Sequence, residues 1–222
     1  MLSNYQQKVD EINDMMCKLA ENVKEAEFLC KEAFETQNMD IFDEAKEKLK
    51  GFPSSAAEID NEIVKALALY APEATDLREM VGYLKITNEL VNAASTIKSY
   101  IKNNKALIAS DFEMKCLQSS LSTLHTSACK ALEDMTEMFD LHKSEDEIKS
   151  LYRSIKVEES KADDLYSIVQ KDISGLLCHV EVDPLDYMTV IKMARKLERL
   201  SDHATAVAKL LLYIKTGGEL SY

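Results

Sequence analysis

Two segments in the C-terminal half each place two carboxylates four residues apart. Glu159 and Asp163 form one pair, and Glu198 and Asp202 form the other. On a helix, residues at this spacing stand on one face, with Cβ atoms roughly 5–6 Å apart. Like charges about 6 Å apart repel by about 3 kcal/mol at an effective dielectric of about 20. A fold that gathers both pairs is therefore expected to hold a cation there.

The ligand atoms indicate which cation this is. An all-oxygen set is typical of hard cations such as Mg²⁺, Ca²⁺, Mn²⁺ or iron. The chain has neither Glu-x-x-His nor His-Glu-x-x-His, and it has no Gly-rich phosphate loop or nucleophile elbow. His203 adjoins Asp202, but it falls about 140° from Glu198 around a helix of about 100° per residue, so we expect it to point away.

The elements that carry these pairs are predicted to be long helices. The 222 residues include only five Gly and three Pro, and 46% are hydrophobic, so the chain has little turn chemistry and enough apolar residues for a sizeable core. Apolar residues recurring at steps of three and four predict an all-α fold of six long helices. Their expected ranges are 4–35, 40–71 with an interruption at Gly51-Phe52-Pro53, from the Pro72 turn to 102, 110–141, 144–180 and 184–215. Ser110-Asp-Phe-Glu113 is a predicted capping box at the start of the fourth helix, and Ser144-Glu-Asp-Glu147 opens the fifth.

The helices are expected to form two similar halves. The polar stretch Lys102-Asn-Asn-Lys105 is the predicted linker, and it divides the chain into repeats over residues 1–104 and 105–222. A proline, Pro72 or Pro184, precedes the third helix of each half. We therefore predict two tandem three-helix bundles related by a pseudo-twofold internal repeat.

Helical wheels place both carboxylate pairs in the same way. At about 100° per residue, each Glu–Asp pair borders the same edge of its helix's apolar stripe. With 39 acidic residues in the chain, a single pair is more often a solvated helix face. Two pairs at the same edge of two consecutive helices favour a shared seam, because the helices are expected to pack by those stripes.

The charge of the chain limits its partners. The net charge is −12, which disfavours nucleic acid and anionic membrane surfaces, because phosphate binding needs a cationic surface. No apolar run approaches the roughly 20 residues of a membrane span, and the N-terminal residues do not form a signal peptide pattern. We expect a soluble, cytoplasmic protein that does not insert into a membrane.

Several segments resemble one known family. Ala194-Arg-Lys-Leu-Glu-Arg-Leu-Ser-Asp-His-Ala204 is similar to the signature of the PhoU proteins, which are accessory regulators of phosphate signalling. Glu158-Glu-Ser-Lys-Ala-Asp-Asp-Leu-Tyr166 resembles the preceding helix of that family. Pro72-Glu-Ala-Thr-Asp-Leu-Arg78, followed by Leu84-Lys-Ile86, resembles the entry to the third helix of its first repeat. The resemblance extends over nearly the whole chain.

The resemblance implies a metal site on the second repeat. PhoU proteins are two tandem three-helix bundles whose Glu/Asp-x-x-x-Asp motifs bind a multinuclear metal cluster on the surface. Carried over to this sequence, the ligands are Glu159, Asp163, Glu198 and Asp202. Iron is the favoured metal, with zinc, manganese or magnesium as alternatives.

The first half departs from the family pattern. Counted from the Pro72 segment, the family's Glu and Asp positions fall on Val91 and Ser95. On the preceding helix Asp60 is retained, but Ala56 stands four residues earlier. We therefore expect that the first repeat does not bind metal as the second does, and that Asp60 is an ordinary exposed acid near a helix start.

The function implied by the resemblance is regulation, not catalysis. A PhoU-like protein would restrain phosphate uptake and phosphate-starvation signalling by contacting a phosphate ABC transporter and a sensor histidine kinase at the inner face of the membrane, commonly as a homodimer. An alternative is an accessory protein of another phosphate or anion transporter, such as a sodium-coupled one. A metal-dependent all-helical nucleotide pyrophosphohydrolase is disfavoured, because it needs Glu-x-x-Glu followed by Glu-x-x-Asp and phosphate-binding cations.

Overall fold

The computed structural model describes residues 2–110, 112, 114, 117–177 and 184–217. Within these ranges the chain is all-α, as predicted, and forms seven helical segments. They are α1 (Leu2–Thr36), α2 (Met39–Lys48), α3 (Phe52–Tyr70), α4 (Ala74–Ala109), α5 (Gln118–Glu137), α6 (Glu145–Leu177) and α7 (Pro184–Thr216). Together α2 and α3 form the second of the six predicted helices. Among the described helices, none is both long and apolar enough to cross a membrane.

The interruption between α2 and α3 lies at Gly51, as predicted. Gly51 has φ +68°, in the left-handed region that only glycine enters without a steric cost. Pro53 follows in the first turn of α3, where a missing backbone N–H costs nothing. Phe52 is buried at the break, so the two segments remain attached to the core.

A capping box fixes the start of α6. The backbone N–H of Ser144 donates to Glu147 Oε2 at 2.8 Å, and the backbone N–H of Glu147 donates to Ser144 Oγ at 3.3 Å. This reciprocal pair satisfies two backbone donors that lack helical partners. The hydrogen bonds from Ser144 also lower the pKa of Glu147.

The predicted linker at Lys102–Lys105 is wrong. These residues lie inside α4, which continues to Ala109. Asn104 is buried and donates to the Tyr100 hydroxyl at 3.1 Å, so one polar residue of this stretch is accommodated within the core.

The boundary between the two halves also differs from the prediction at its C-terminal side. Ser110, the predicted start of the fourth helix, instead caps the C-terminus of α4, and α5 begins at Gln118. Asp111 and Glu113, the other members of the expected capping box, lie outside the described residues. The assignment of residues 1–104 and 105–222 to two repeats stays a prediction.

The long helices α4 and α7 join the two halves of the chain. They run antiparallel, since Gly82 faces Ile214 near one end and Ser110 Oγ donates to Asp186 Oδ1 at 3.1 Å at the other. A Cβ atom at Gly82 would lie 2.6 Å from Ile214 Cδ1, so glycine permits this close approach. Buried residues of all seven helices form one continuous hydrophobic core.

A buried polar chain also links the halves. Glu27 of α1 accepts from His125 Nδ1 of α5 at 2.6 Å, and the Tyr100 hydroxyl of α4 lies 2.6 Å from His125 Nε2. Because Asn104 donates to the Tyr100 oxygen, we infer that the Tyr100 hydroxyl donates to His125 Nε2 and that the imidazole hydrogen is on Nδ1. All four side chains are buried, so this series of hydrogen bonds orients α1 and α4 against α5.

Candidate metal centre

The apolar faces of α6 and α7 position the acidic residues. Both helices bury a stripe of apolar residues at the helical period, and the stripe on α7 is the longer one. Their members include Ile155, Ala162 and Val169 on α6 and Val190, Leu197 and Ala204 on α7. The two helices pack against each other along these stripes. Residues at the edge of both stripes therefore meet at the seam, as the wheels predict.

Three of the four predicted ligands come together at this seam. Asp163 of α6 and Glu198 and Asp202 of α7 each offer a carboxylate oxygen, and these oxygens lie within 4.8 Å of one another. Asp163 is exposed and Asp202 is half-buried, whereas Glu198 is only 4% exposed. We call these three residues the acidic cluster. It is open to solvent on the Asp163 side, with Glu198 at its base.

Glu198 is the residue most affected by this arrangement. One oxygen, Oε1, accepts from Arg195 Nη1, while the buried Oε2 has no hydrogen-bond partner. Burial, which is the largest cause, and the negative charges of Asp202 and Asp163 together raise the pKa of Glu198 to about 7, although the charge of Arg195 opposes them. Burial and the charge of Asp163 also raise the pKa of Asp202.

These properties fit a bound cation. A buried carboxylate oxygen without a partner is costly, and two further carboxylates beside it add repulsion. A proton or a metal ion at the acidic cluster removes both costs. The oxygen-only donor set is suited to a hard cation.

The fourth predicted ligand, Glu159, lies outside the acidic cluster. Its Oε2 accepts from Lys156 Nζ at 2.7 Å. Glu159 is still close enough for its negative charge to raise the pKa of Asp202. Sequence reasoning did not identify Lys156 or Arg195, although each stands three residues before its glutamate and could have been found from that spacing.

His203 faces a different helix, in keeping with its predicted direction. Its Nδ1 lies 2.9 Å from Glu89 Oε2 of α4, and the residue is 8% exposed. It does not belong to the acidic cluster. No sequence signal connects Glu89 with His203, because the contact depends on how α4 packs on α7.

The corresponding positions of the first half have other environments. Asp60 accepts from Thr87 Oγ1 at 2.6 Å, and it is half-buried within α3 instead of exposed near a helix start. Ala56 is buried, Val91 packs against the core and Ser95 is exposed. Among the described residues, no group of three potential metal ligands includes Asp60.

The fold and the family signature define the class of protein. The PhoU domain profile matches residues 16–103 and 121–211, two stretches that together cover most of the chain. The chain therefore belongs to the PhoU family.

Individual relatives agree with this assignment. The chain is 26% identical over 165 residues to the "Phosphate-specific transport system accessory protein PhoU homolog" of Rhizobium meliloti (strain 1021), covering 73% of this chain and 66% of that protein. It is 29% identical over 171 residues to the Caulobacter vibrioides (strain NA1000 / CB15N) protein of the same name, covering 74% and 69%. The chain thus aligns with about two thirds of the length of these relatives.

Solved structures show the same fold. PhoU from Streptococcus pneumoniae superposes with a TM-score of 0.83 at 17% sequence identity, covering 98% of this chain and 100% of that chain. PhoU from Pseudomonas aeruginosa superposes with a TM-score of 0.77 at 17% identity, covering 98% of both chains. Two PhoU proteins of different organisms therefore share the helical architecture described above.

Proposed function

We propose that this protein is a PhoU-type accessory protein of phosphate transport, which restrains phosphate uptake and phosphate-starvation signalling. Membership of the PhoU family supports this proposal, as do the relatives named as phosphate transport accessory proteins. The observation that carries it is the acidic cluster, which lies on the helix bearing the family signature at 194–204 and on the helix before it. Because the relatives are named as accessory and regulatory proteins, the proposed activity is binding and not catalysis.

The proposal includes a metal ion at the acidic cluster. Asp163, Glu198 and Asp202 would hold it, with Glu159 as a fourth ligand. Iron is the favoured metal, and zinc, manganese and magnesium are alternatives that the same oxygen donors accept. A bound cation would neutralise the repulsion among the carboxylates and tie α6 to α7, and the buried, unpartnered oxygen of Glu198 supports this role.

The proposed partners are a phosphate ABC transporter and a sensor histidine kinase. The protein would act from the cytoplasm as a homodimer, peripheral to the inner face of the membrane. Its net charge of −12 favours association with basic surfaces of such partners, since complementary charge speeds and orients encounter. The same charge disfavours nucleic acid.

A gene replacement tests the regulatory role. Deleting the gene is expected to raise phosphate uptake and the expression of phosphate-starvation genes in phosphate-rich medium. Complementation with the wild-type gene should restore both, and the Glu198→Ala/Asp202→Ala variant should not. Unchanged uptake and expression after deletion would refute the proposed function.

Metal analysis of the purified protein tests the site itself. We expect metal in the wild-type protein and a loss of it in Glu198→Ala/Asp202→Ala. Circular dichroism and gel filtration of the variant control for its folding. Equal metal content in both proteins would refute the assignment of the acidic cluster as a metal centre.

A further inference from the structure

Each of the two helices that form the candidate metal centre carries a basic side chain three residues before its glutamate. On α6, Lys156 Nζ lies 2.7 Å from Glu159 Oε2. On α7, Arg195 Nη1 contacts Glu198 Oε1. Both helices therefore share the pattern Lys/Arg-x-x-Glu-x-x-x-Asp, and in both the basic side chain contacts the glutamate.

The two basic side chains differ in where their glutamates lie. Glu198 gives Oε1 to Arg195 and still belongs to the acidic cluster, and its buried Oε2 has no hydrogen-bond partner. Glu159 gives Oε2 to Lys156 and lies outside the cluster. Arg195 is therefore compatible with a ligand role of Glu198, whereas Lys156 holds Glu159 away from the other carboxylates.

We propose that Glu159 exchanges between two partners, bonding Lys156 in the metal-free protein and the cation in the metal-bound protein. Lys156 then acts as a positioning residue that weakens metal binding by competing for the fourth ligand. This inference rests on the proposed metal centre and deepens it, because it assigns a function to a side chain that is not a ligand.

The required movement is small. Glu159 stands one helical turn from Asp163, so their Cβ atoms are roughly 5–6 Å apart on one face. Rotation of the Glu159 side chain brings its carboxylate towards Asp163 without a shift of α6. The Lys156–Glu159 pair is partly solvent-exposed, with side-chain exposures of 44% and 18%. Such pairs are weak, which makes them exchangeable.

The weakness of the pair also sets the expected magnitude. Breaking it should strengthen metal binding by roughly two- to fivefold, or about 0.4–1 kcal/mol at about 1.4 kcal/mol per factor of ten. Loss of the Glu159 carboxylate should weaken binding by about tenfold, because affinity for hard cations follows the number of charged ligands.

A double-mutant cycle separates exchange from simple charge repulsion. The Kd for Mn²⁺ alone is measured on the purified full chain by electron paramagnetic resonance of free Mn²⁺, at about 0.15 M salt to screen distant charges. The variants are Lys156→Met, Glu159→Gln and the double variant. If Lys156 acts through Glu159, Lys156→Met lowers the Kd in the wild-type background and changes it by less than about 1.5-fold in the Glu159→Gln background.

A matched control comes from the same helix. Lys161 pairs with Glu158 at 2.6 Å, also at three residues' distance, and neither residue belongs to the acidic cluster. Lys161→Met removes the same charge from α6 and should leave the Kd for Mn²⁺ unchanged.

Distinct results would overturn the inference. An unchanged or weaker affinity in Lys156→Met excludes competition by Lys156. An equal gain in both backgrounds shows that Lys156 acts through its charge, which also reaches Asp163, and not through Glu159. A similar gain in Lys161→Met shows that only the net charge matters. Wild-type protein that does not bind Mn²⁺ overturns the exchange, and the metal analysis of the purified protein then decides the metal centre separately. In contrast, the expected Kd values in the double-mutant cycle, together with unchanged phosphate uptake and starvation-gene expression in the deletion strain, would contradict the regulatory proposal alone.

Discussion

Raising the pH from 6 to 8 should tighten metal binding by about tenfold. The pKa of Glu198 is about 7 in the metal-free protein, because the carboxyl is buried beside Asp202 and Asp163. Only the ionised carboxylate is a metal ligand, so binding must release the proton. The ionised fraction of a group with this pKa is about 0.1 at pH 6 and about 0.9 at pH 8. The fraction of protein that is ready to bind metal therefore rises about tenfold. The raised pKa of Asp202 adds to the effect in the same direction.

The assay is a Mn²⁺ titration at constant ionic strength and in buffers that do not bind metal. Calorimetry in two buffers of different ionisation enthalpy measures the protons released, and we expect close to one per Mn²⁺ at pH 6. In Glu198→Gln, affinity should fall and most of the pH dependence should disappear. A Kd for the wild-type protein that is the same at pH 6 and pH 8 would refute the reasoning, because it would mean that Glu198 is ionised throughout or is not a ligand.

Three further predictions concern stability and site selectivity. In metal-free protein at pH 8, Glu198→Gln should raise the free energy of unfolding in urea by up to about 3 kcal/mol. Folding raises the pKa of Glu198 from 4.5 to about 7, so the cost of the ionised form is absent below about pH 4.5 and complete above about pH 7. His125→Leu should lower the same free energy by about 1–3 kcal/mol, because it leaves the buried carboxyl of Glu27 without its hydrogen-bond donor, and Glu27→Leu/His125→Leu should recover most of this. Asp60→Asn should leave the metal content unchanged by elemental analysis, whereas Glu198→Ala should reduce it.

Each of these predictions has a contradicting result. A stability difference between wild type and Glu198→Gln that does not vary from pH 4.5 to pH 8 would exclude the raised pKa as its cause. If the double variant at Glu27 and His125 is no more stable than His125→Leu, the loss is due to packing and not to a buried carboxyl without a hydrogen-bond donor. Metal lost from Asp60→Asn would place a ligand in the first half.

Local sequence patterns predicted the features that depend on neighbouring residues. The glycine break at Gly51 and the capping box at Ser144 follow from backbone conformation and short-range hydrogen bonds, and both occur where expected. The stretch Lys102–Lys105 was misjudged because its polarity suggested solvent, whereas Asn104 is buried and donates to the hydroxyl of Tyr100 one turn earlier in α4. Composition does not reveal such partners.

The candidate site was predictable to the level of helix faces. A wheel gives the direction of each Cβ atom, so it correctly placed Asp163, Glu198 and Asp202 at one seam. It does not give the side-chain rotamer, and the carboxylate of Glu159 contacts Lys156 instead of the acidic cluster. The buried pair of Glu27 and His125 was missed because 98 positions separate its members.

The packing of α4 on α7 has a consequence for how the two halves move. α4 is a single helix of 36 residues, about 54 Å long at about 1.5 Å per residue. α7 meets it near Gly82, at Glu89 through His203, and at Ser110 through Asp186. These contacts extend along most of α4, so we expect a tilt of α7 to move α4 as a whole. The first half, which has Val91 and Ser95 on α4 in place of a carboxylate pair, is thus packed along the helix that carries Glu198 and Asp202.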